Sequence, residues 1–158
     1  MLSRRFLLAA GAASLAGCST SALQLPTSTF AFRGPAPSGT LDVVNAARAS
    51  GGRGPMRIDR AAQRAAERHA KAMARAGRMA HELPGGPKFQ PRMQRDRVPL
   101  PAAENVAVGQ RDVARAVTAW MNSPGHRRNM LDKRFDGVGV ASAKGGDGRL
   151  YWAMVLVK

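Results

Sequence analysis

From Thr40 onwards the apolar positions recur with either a helical or a strand-like period, and the changes between the two divide the chain into elements. Thr40 reads as the N-cap of a first helix, Leu41 to Ala49, with Val44 and Arg48 on different faces. Gly51-Gly52 and Gly54-Pro55 end it in a loop, after which Ile58 is expected to pack inward and Asp59 to cap a long second helix, Arg60 to about Ala76. There Ala62, Ala65, Ala66, His69, Met73 and Ala76 return every three or four residues, a narrow stripe of small side chains suited to close packing. Arg60, Arg64, Glu67, Arg68, Lys71 and Arg75 form the opposite, solvated face, and Gly77 is a natural C-cap.

Met79 to Pro101 has no sustained period and is rich in proline and glycine. A loop of that length in a compact domain is usually functional or hides short elements. Glu104 to Val108 follows as a short apolar strand. Asp112 then starts a helix with a core face of Val113, Ala116, Val117 and Trp120. Ser123-Pro124 is a strong start signal for another helix, an N-cap followed by proline at the first helical position; that helix carries His126, Asn129 and Met130. Phe135 to Ala143 alternates glycine with valine, Lys144 to Gly148 is a hairpin turn, and Leu150 to Val157 is the partner strand. Glycines on one strand face predict close approach of a helix or backbone there. The order of elements predicts an α+β fold, helices packed around a small, mainly antiparallel sheet.

The first residues read differently. Arg4 and Arg5 precede an apolar stretch, Phe6 to Leu15, too short to span a bilayer as an ordinary helix. It ends in Leu15-Ala16-Gly17-Cys18, which resembles a bacterial lipobox, and Cys18 is the only cysteine in the 158 residues. The expected organisation is a lipoprotein signal peptide over 1–18, a Ser/Thr/Pro-rich tether over 19–39 and one domain over 40–158. Phe30 and Phe32 are the tether residues expected to pack back onto the domain. With Cys18 consumed by lipid, the domain has no disulfide and no thiol nucleophile, and packing alone holds it.

Charge adds a partner class. Lys and Arg number 25 against 10 Asp and Glu, a net charge of +15, and removing the two leader arginines leaves +13. Such a field favours anionic envelope components: lipid head groups, lipopolysaccharide phosphates or peptidoglycan carboxylates. Aromatic residues make up only 5%, and no binding module is evident, which argues against a nucleic-acid role.

Several residues then form a recognisable pattern. These are His81 after an amphipathic helix, Glu104-Asn105-Val106, the run from Trp120 through Ser123-Pro124-Gly125-His126 to Asn129 and Leu131, Phe135 to Val140, and Tyr151-Trp152. The pattern resembles the bacterial, SCP-like branch of the CAP superfamily, which includes cysteine-rich secretory, antigen-five and pathogenesis-related proteins. The likeness covers about Leu41 to Val157. It implies an α-β-α sandwich with a shallow cleft, in which His81, His126 and Glu104 converge and some members hold a divalent metal. The second glutamate of eukaryotic members corresponds here to Ser123, and Ala103 and Met154 stand where glycine and glutamine are usual.

Two imidazoles and a carboxylate are a chemically sensible set for Zn²⁺ with one open position. The competing reading is structural: His126 braces the Pro-Gly turn and Glu104 accepts backbone N–H bonds. Asn105 and Asn129 are expected to hold the cleft loops, His69 to be a core histidine, and Glu82 to sit in solvent. Ser123 is read as a helix cap and not a nucleophile, since no G-x-S-x-G elbow exists. Three functions remain open. The first is a lipid-anchored, non-catalytic module binding a small lipid-like or anionic ligand, with or without metal. The second is a metal-assisted hydrolase of envelope polymers or peptides, and the third is a basic adhesion or scaffold protein.

Overall fold

The structure, a computed structural model, describes Phe30, Phe32 and residues 39–158; the expected signal peptide with Cys18 and the rest of the expected tether lie outside the described residues. The helices are α1 (Thr40–Ser50), α2 (Arg60–Ala76), α3 (Phe89–Asp96), α4 (Val113–Asn122) and α5 (Pro124–Met130), and the strands are β1 (Arg57–Ile58), β2 (Ala102–Val108), β3 (Gly137–Lys144) and β4 (Leu150–Val157). The strands form one sheet in the order β1-β3-β4-β2, with β1 parallel to β3 and the other pairs antiparallel. This is the α+β sandwich expected: β2 is an edge strand, and helices cover both faces.

Alternation along β2 and β4 sends side chains to two separate cores. On one face Trp120, Met121, Met130, Phe135, Met154 and Leu156 pack with α1, α4 and α5. On the other, the alanines of α2 with Met73, Met93, Tyr151 and Val155 make a thinner layer. Its thinness has a visible cause at Gly139 of β3. A Cβ there would lie 2.2 Å from the backbone nitrogen of Gln63, so α2 rests directly on the strand, as the glycine pattern predicted. Asp59 caps α2 by accepting from the Ala62 N–H, and Gly77 ends it in the left-handed region.

Several local expectations fail, each because a distant neighbour decides. Ile58 does not pack inward; it is 45% exposed on the two-residue edge strand. Thr40 is not the cap of α1. Gly39 holds that position without a side-chain bond, and Thr40 is already helical. Val44 and Arg48 share the buried face of α1, as four-residue spacing requires. Arg48 is buried because its guanidinium satisfies the carbonyls of Gly54, Met130 and Phe135. Ala76, placed in the buried stripe of α2, is exposed. Ser123 stands at the cap position of α5 but makes no side-chain capping bond, while Pro124 takes the first helical position. The stretch expected as loop contains α3. Phe30 and Phe32 do pack against the larger core, edge to face at 5.1 Å, and Asn122 bonds both backbone groups of Phe30.

Candidate functional site at the free sheet edge

The candidate residues meet along β2, the strand whose outer side has no partner strand among the described residues. Strand alternation explains how one segment serves both layers. Glu104 shares a face with Val106, toward α2 and α3, whereas Asn105 points to the opposite layer and donates to the His126 carbonyl (3.1 Å). Asn129 on α5 donates to Asn105 Oδ1 (2.9 Å) and reaches the Glu104 carbonyl (3.4 Å). The two asparagines thus tie α5 to the strand, in the holding role expected of them. Trp120 adds a further tie from α4, its indole N–H donating to the Val106 carbonyl.

The two layers bring the two histidines together over this edge. His81 comes from the segment after α2 and His126 from the start of α5, and their ring centroids are 6.2 Å apart. His81 Nδ1 lies 3.3 Å from Glu104 Oε1. Residues spaced 23 and 22 apart in the chain therefore share one cleft, an arrangement that the family geometry implied and the spacing alone did not.

One member of the cluster was not anticipated. Arg92 of α3 makes a two-pronged bond to Glu104, Nη1 to Oε2 and Nη2 to Oε1, both at 2.9 Å, and Nη2 also donates to the His81 carbonyl at 2.8 Å. Its guanidinium lies over the Phe89 ring. His69 of α2 completes the surround: it is buried, with Nε2 2.9 Å from the Ala80 carbonyl and 3.5 Å from Glu104 Oε2. It is the core histidine expected, and it also faces the carboxylate. A signal for Arg92 existed in Phe89 and Met93, an i, i+4 apolar pair on either side of it, and in Pro91, which a first helical turn tolerates.

Electrostatics follow from this packing. Burial pushes the Glu104 carboxyl up, but hydrogen bonds with His81 and Arg92 outweigh burial and hold it below its ordinary value. The hydrogen bond to Glu104 raises His81. Burial lowers His69 and His126, and for His126 the neighbouring His81 lowers it further. The exposed imidazole of His81 thus gains a proton more readily than His126 does, and the proton pairs with a carboxylate already neutralised by Arg92.

The donor set can be tested against zinc on the same geometry. Both oxygens of Glu104 are engaged by Arg92, and the Glu104 side chain is 2% exposed. For Glu104 to be a third protein ligand it would have to offer a lone pair that Arg92 does not take. Among the described residues no group of three His, Cys, Asp or Glu is placed to hold a metal ion. As placed, the two imidazoles face the cleft together with Glu104 behind His81, and the three do not complete a three-ligand zinc centre. Glu82 is exposed, and Ser123 has no imidazole hydrogen-bonded to it. Among the described residues no helix is long and apolar enough to cross a membrane.

Comparison with known proteins agrees with this architecture. The chain is 32% identical over 107 residues to the uncharacterized protein YkwD of Bacillus subtilis, a match covering 67% of this chain and 42% of that one. An extracellular SCP-domain protein of Bacillus anthracis superposes with a TM-score of 0.65 at 28% identity, over 75% of this chain and 39% of the other. An outer surface protein of Borrelia burgdorferi gives 0.64 at 22% identity, over 73% and 86%, and shares the fold. The chain spans about two-fifths of the length of the two Bacillus proteins. Residues 41–156 match the model of the cysteine-rich secretory protein family, CAP, and the chain belongs to that family in its bacterial SCP-type form.

Proposed function

We propose that this is an exported, lipid-anchored envelope protein whose cleft at the β2 edge binds a small polar or anionic ligand without breaking a bond in it. The observation that carries this reading is the fork of Arg92 on Glu104. A carboxylate buried, neutralised and fixed by a guanidinium is suited to orienting His81 more than to taking a proton from a substrate. His81, half-exposed beside it, is the group that meets a ligand. It offers a donor whose proton affinity is raised by the carboxylate behind it. Export and anchoring are supported by the Leu15-Ala16-Gly17-Cys18 sequence, and the extracellular and outer-surface relatives suit such an address.

The test is a survey of the purified protein against peptidoglycan fragments and peptides, with and without added zinc, alongside the imidazole NMR signals of His81 and His126. Ligand-dependent shifts of the His81 signal with no product are expected. Product formed by catalytic amounts of protein, and lost in His81→Ala or His126→Ala, would overturn the binding reading in favour of a hydrolase. Tight zinc uptake in calorimetry that disappears in the double variant would assign a metal to the cleft, and the binding reading would then stand only if no product forms with zinc bound.

A further inference from the structure

A second hollow lies between α2, the 83–87 segment and α3. It has a volume of about 360 Å³, within the usual range for small-molecule sites. Half of its ten lining residues are lysine or arginine, and the buried His69 is another of the ten. Arg68, Lys71 and Arg75 come from one face of α2 and Arg92 and Arg95 from α3, while Ala72, Leu83 and Pro87 supply an apolar side. Neither His81 nor His126 lines it.

The charges here are unevenly matched. Arg68 and Arg95 both pair with the buried Asp96, at 2.7 and 3.1 Å, and Arg92 pairs with Glu104. Lys71 and Arg75 have no carboxylate within ion-pair distance among the described residues. A separate observation points the same way. Arg92 is 5% exposed, and its Nε is a buried donor with no hydrogen-bond partner. A buried N–H left unpaired costs free energy, and an anion seated in the hollow that Arg92 lines would place negative charge beside that guanidinium.

We propose that the hollow between α2, the 83–87 segment and α3 is a binding site for a phosphate group carried on a compact, partly apolar molecule. Two unmatched cations one helical turn apart suit a dianion better than a single carboxylate, and guanidinium and ammonium groups together are a common phosphate environment. Leu83, Pro87 and Ala72 offer contact for the carbon portion. The shared chemistry belongs equally to a soluble phosphate ester and to the phosphate end of a lipid headgroup. The site adjoins the cleft through Arg92 and His69, which surround Glu104; Lys71 and Arg75, the cations on which it is tested, bond to neither Glu104 nor a cleft histidine.

The experiment uses the full chain and two charge-matched double variants. Lys71→Ala/Arg75→Ala removes the unmatched cations from an exposed helical face, where alanine favours the helix. Arg128→Ala/Lys133→Ala removes two exposed cations from a shallow hollow on α5. Calorimetry with inorganic phosphate and glycerol phosphate should show one saturable site per chain. Affinity should weaken at least tenfold in the α2 variant and stay unchanged in the α5 variant. Equal losses in both variants would mean a diffuse field and overturn the site, as would acetate binding as tightly as phosphate, or no phosphate binding at all. Vesicles of phosphatidic acid in phosphatidylcholine separate the sources. Retention that depends on Lys71 and Arg75 and is displaced by glycerol phosphate identifies a lipid headgroup. Phosphate binding without vesicle retention identifies a soluble ester.

Discussion

The two sides of the sheet are built on different plans. The α1, α4 and α5 side is thick and apolar, filled by Trp120, Met121, Met130, Met154 and Leu156; Arg48 and Asn105 are its buried polar groups, both bonding carbonyls. The α2 and α3 side is thin, floored by alanines and Gly139, and it holds His69, Arg92, Asp96 and Glu104. Small side chains let α2 sit close enough for its polar positions to reach the sheet edge, and burial of large residues is left to the other face. The comparison teaches that the apolar side supplies cohesion while the alanine side supplies placement. On such a platform, ionic partners are held by backbone proximity and not by flexible reach.

The sharpest way to break this division is Arg92→Ala. It leaves a buried carboxylate without its partner, and removal of one member of a buried pair costs about 3–5 kcal/mol. Urea melts should show that loss, and Glu104→Gln added to it should restore part of the stability, because the uncompensated charge is then gone. A loss below 1 kcal/mol would mean the pair is not the anchor of α3.

Gly139→Ala attacks placement without touching charge. The added methyl meets the Gln63 and Ala62 backbone at 2.2–2.4 Å, so α2 must shift as a body. Overpacking of this kind costs about 1–3 kcal/mol. The His69 and His81 NMR signals should move with the helix, while those of Trp120 on the opposite side stay in place. Unmoved histidine signals would separate α2 position from site geometry.

His81→Ala is the mildest change, expected to alter stability by under about 1 kcal/mol because the ring is half-exposed. Its value lies in the pH profile. A folded-state pKa raised by Glu104 means that the contribution is fully present below the unfolded value of about 6.5. It is lost as pH rises through the higher folded value. His69 and His126, both lowered by burial, act in the opposite sense as pH falls below that same unfolded value. The difference between wild-type and His81→Ala melts should therefore shrink above neutrality; a difference constant from pH 5 to 8 would contradict the His81–Glu104 bond.

Much of the fold was legible from local pattern. The stripe of α2 with its Asp59 and Gly77 ends, the Asp112 start of α4, Pro124 at the head of α5 and the β3–β4 hairpin all rest on spacing and turn chemistry within a few residues. The meeting of His81, Glu104 and His126 was legible only through family likeness, since no local rule relates residues more than twenty apart.

What the chain determined by itself was therefore four of its helices (α1, α2, α4 and α5), its hairpin, the alternation that sends Glu104 and Asn105 to opposite faces, and its basic charge. Those features depend on backbone geometry and nearest neighbours. Tertiary structure alone decided that Ile58 lies exposed, that Arg48 is buried among carbonyls, and that an arginine from a proline-containing short helix closes on Glu104. Each of these outcomes depends on which distant group supplies a hydrogen bond or covers a surface. Such partners are fixed only when the sheet edge and its two helical layers assemble.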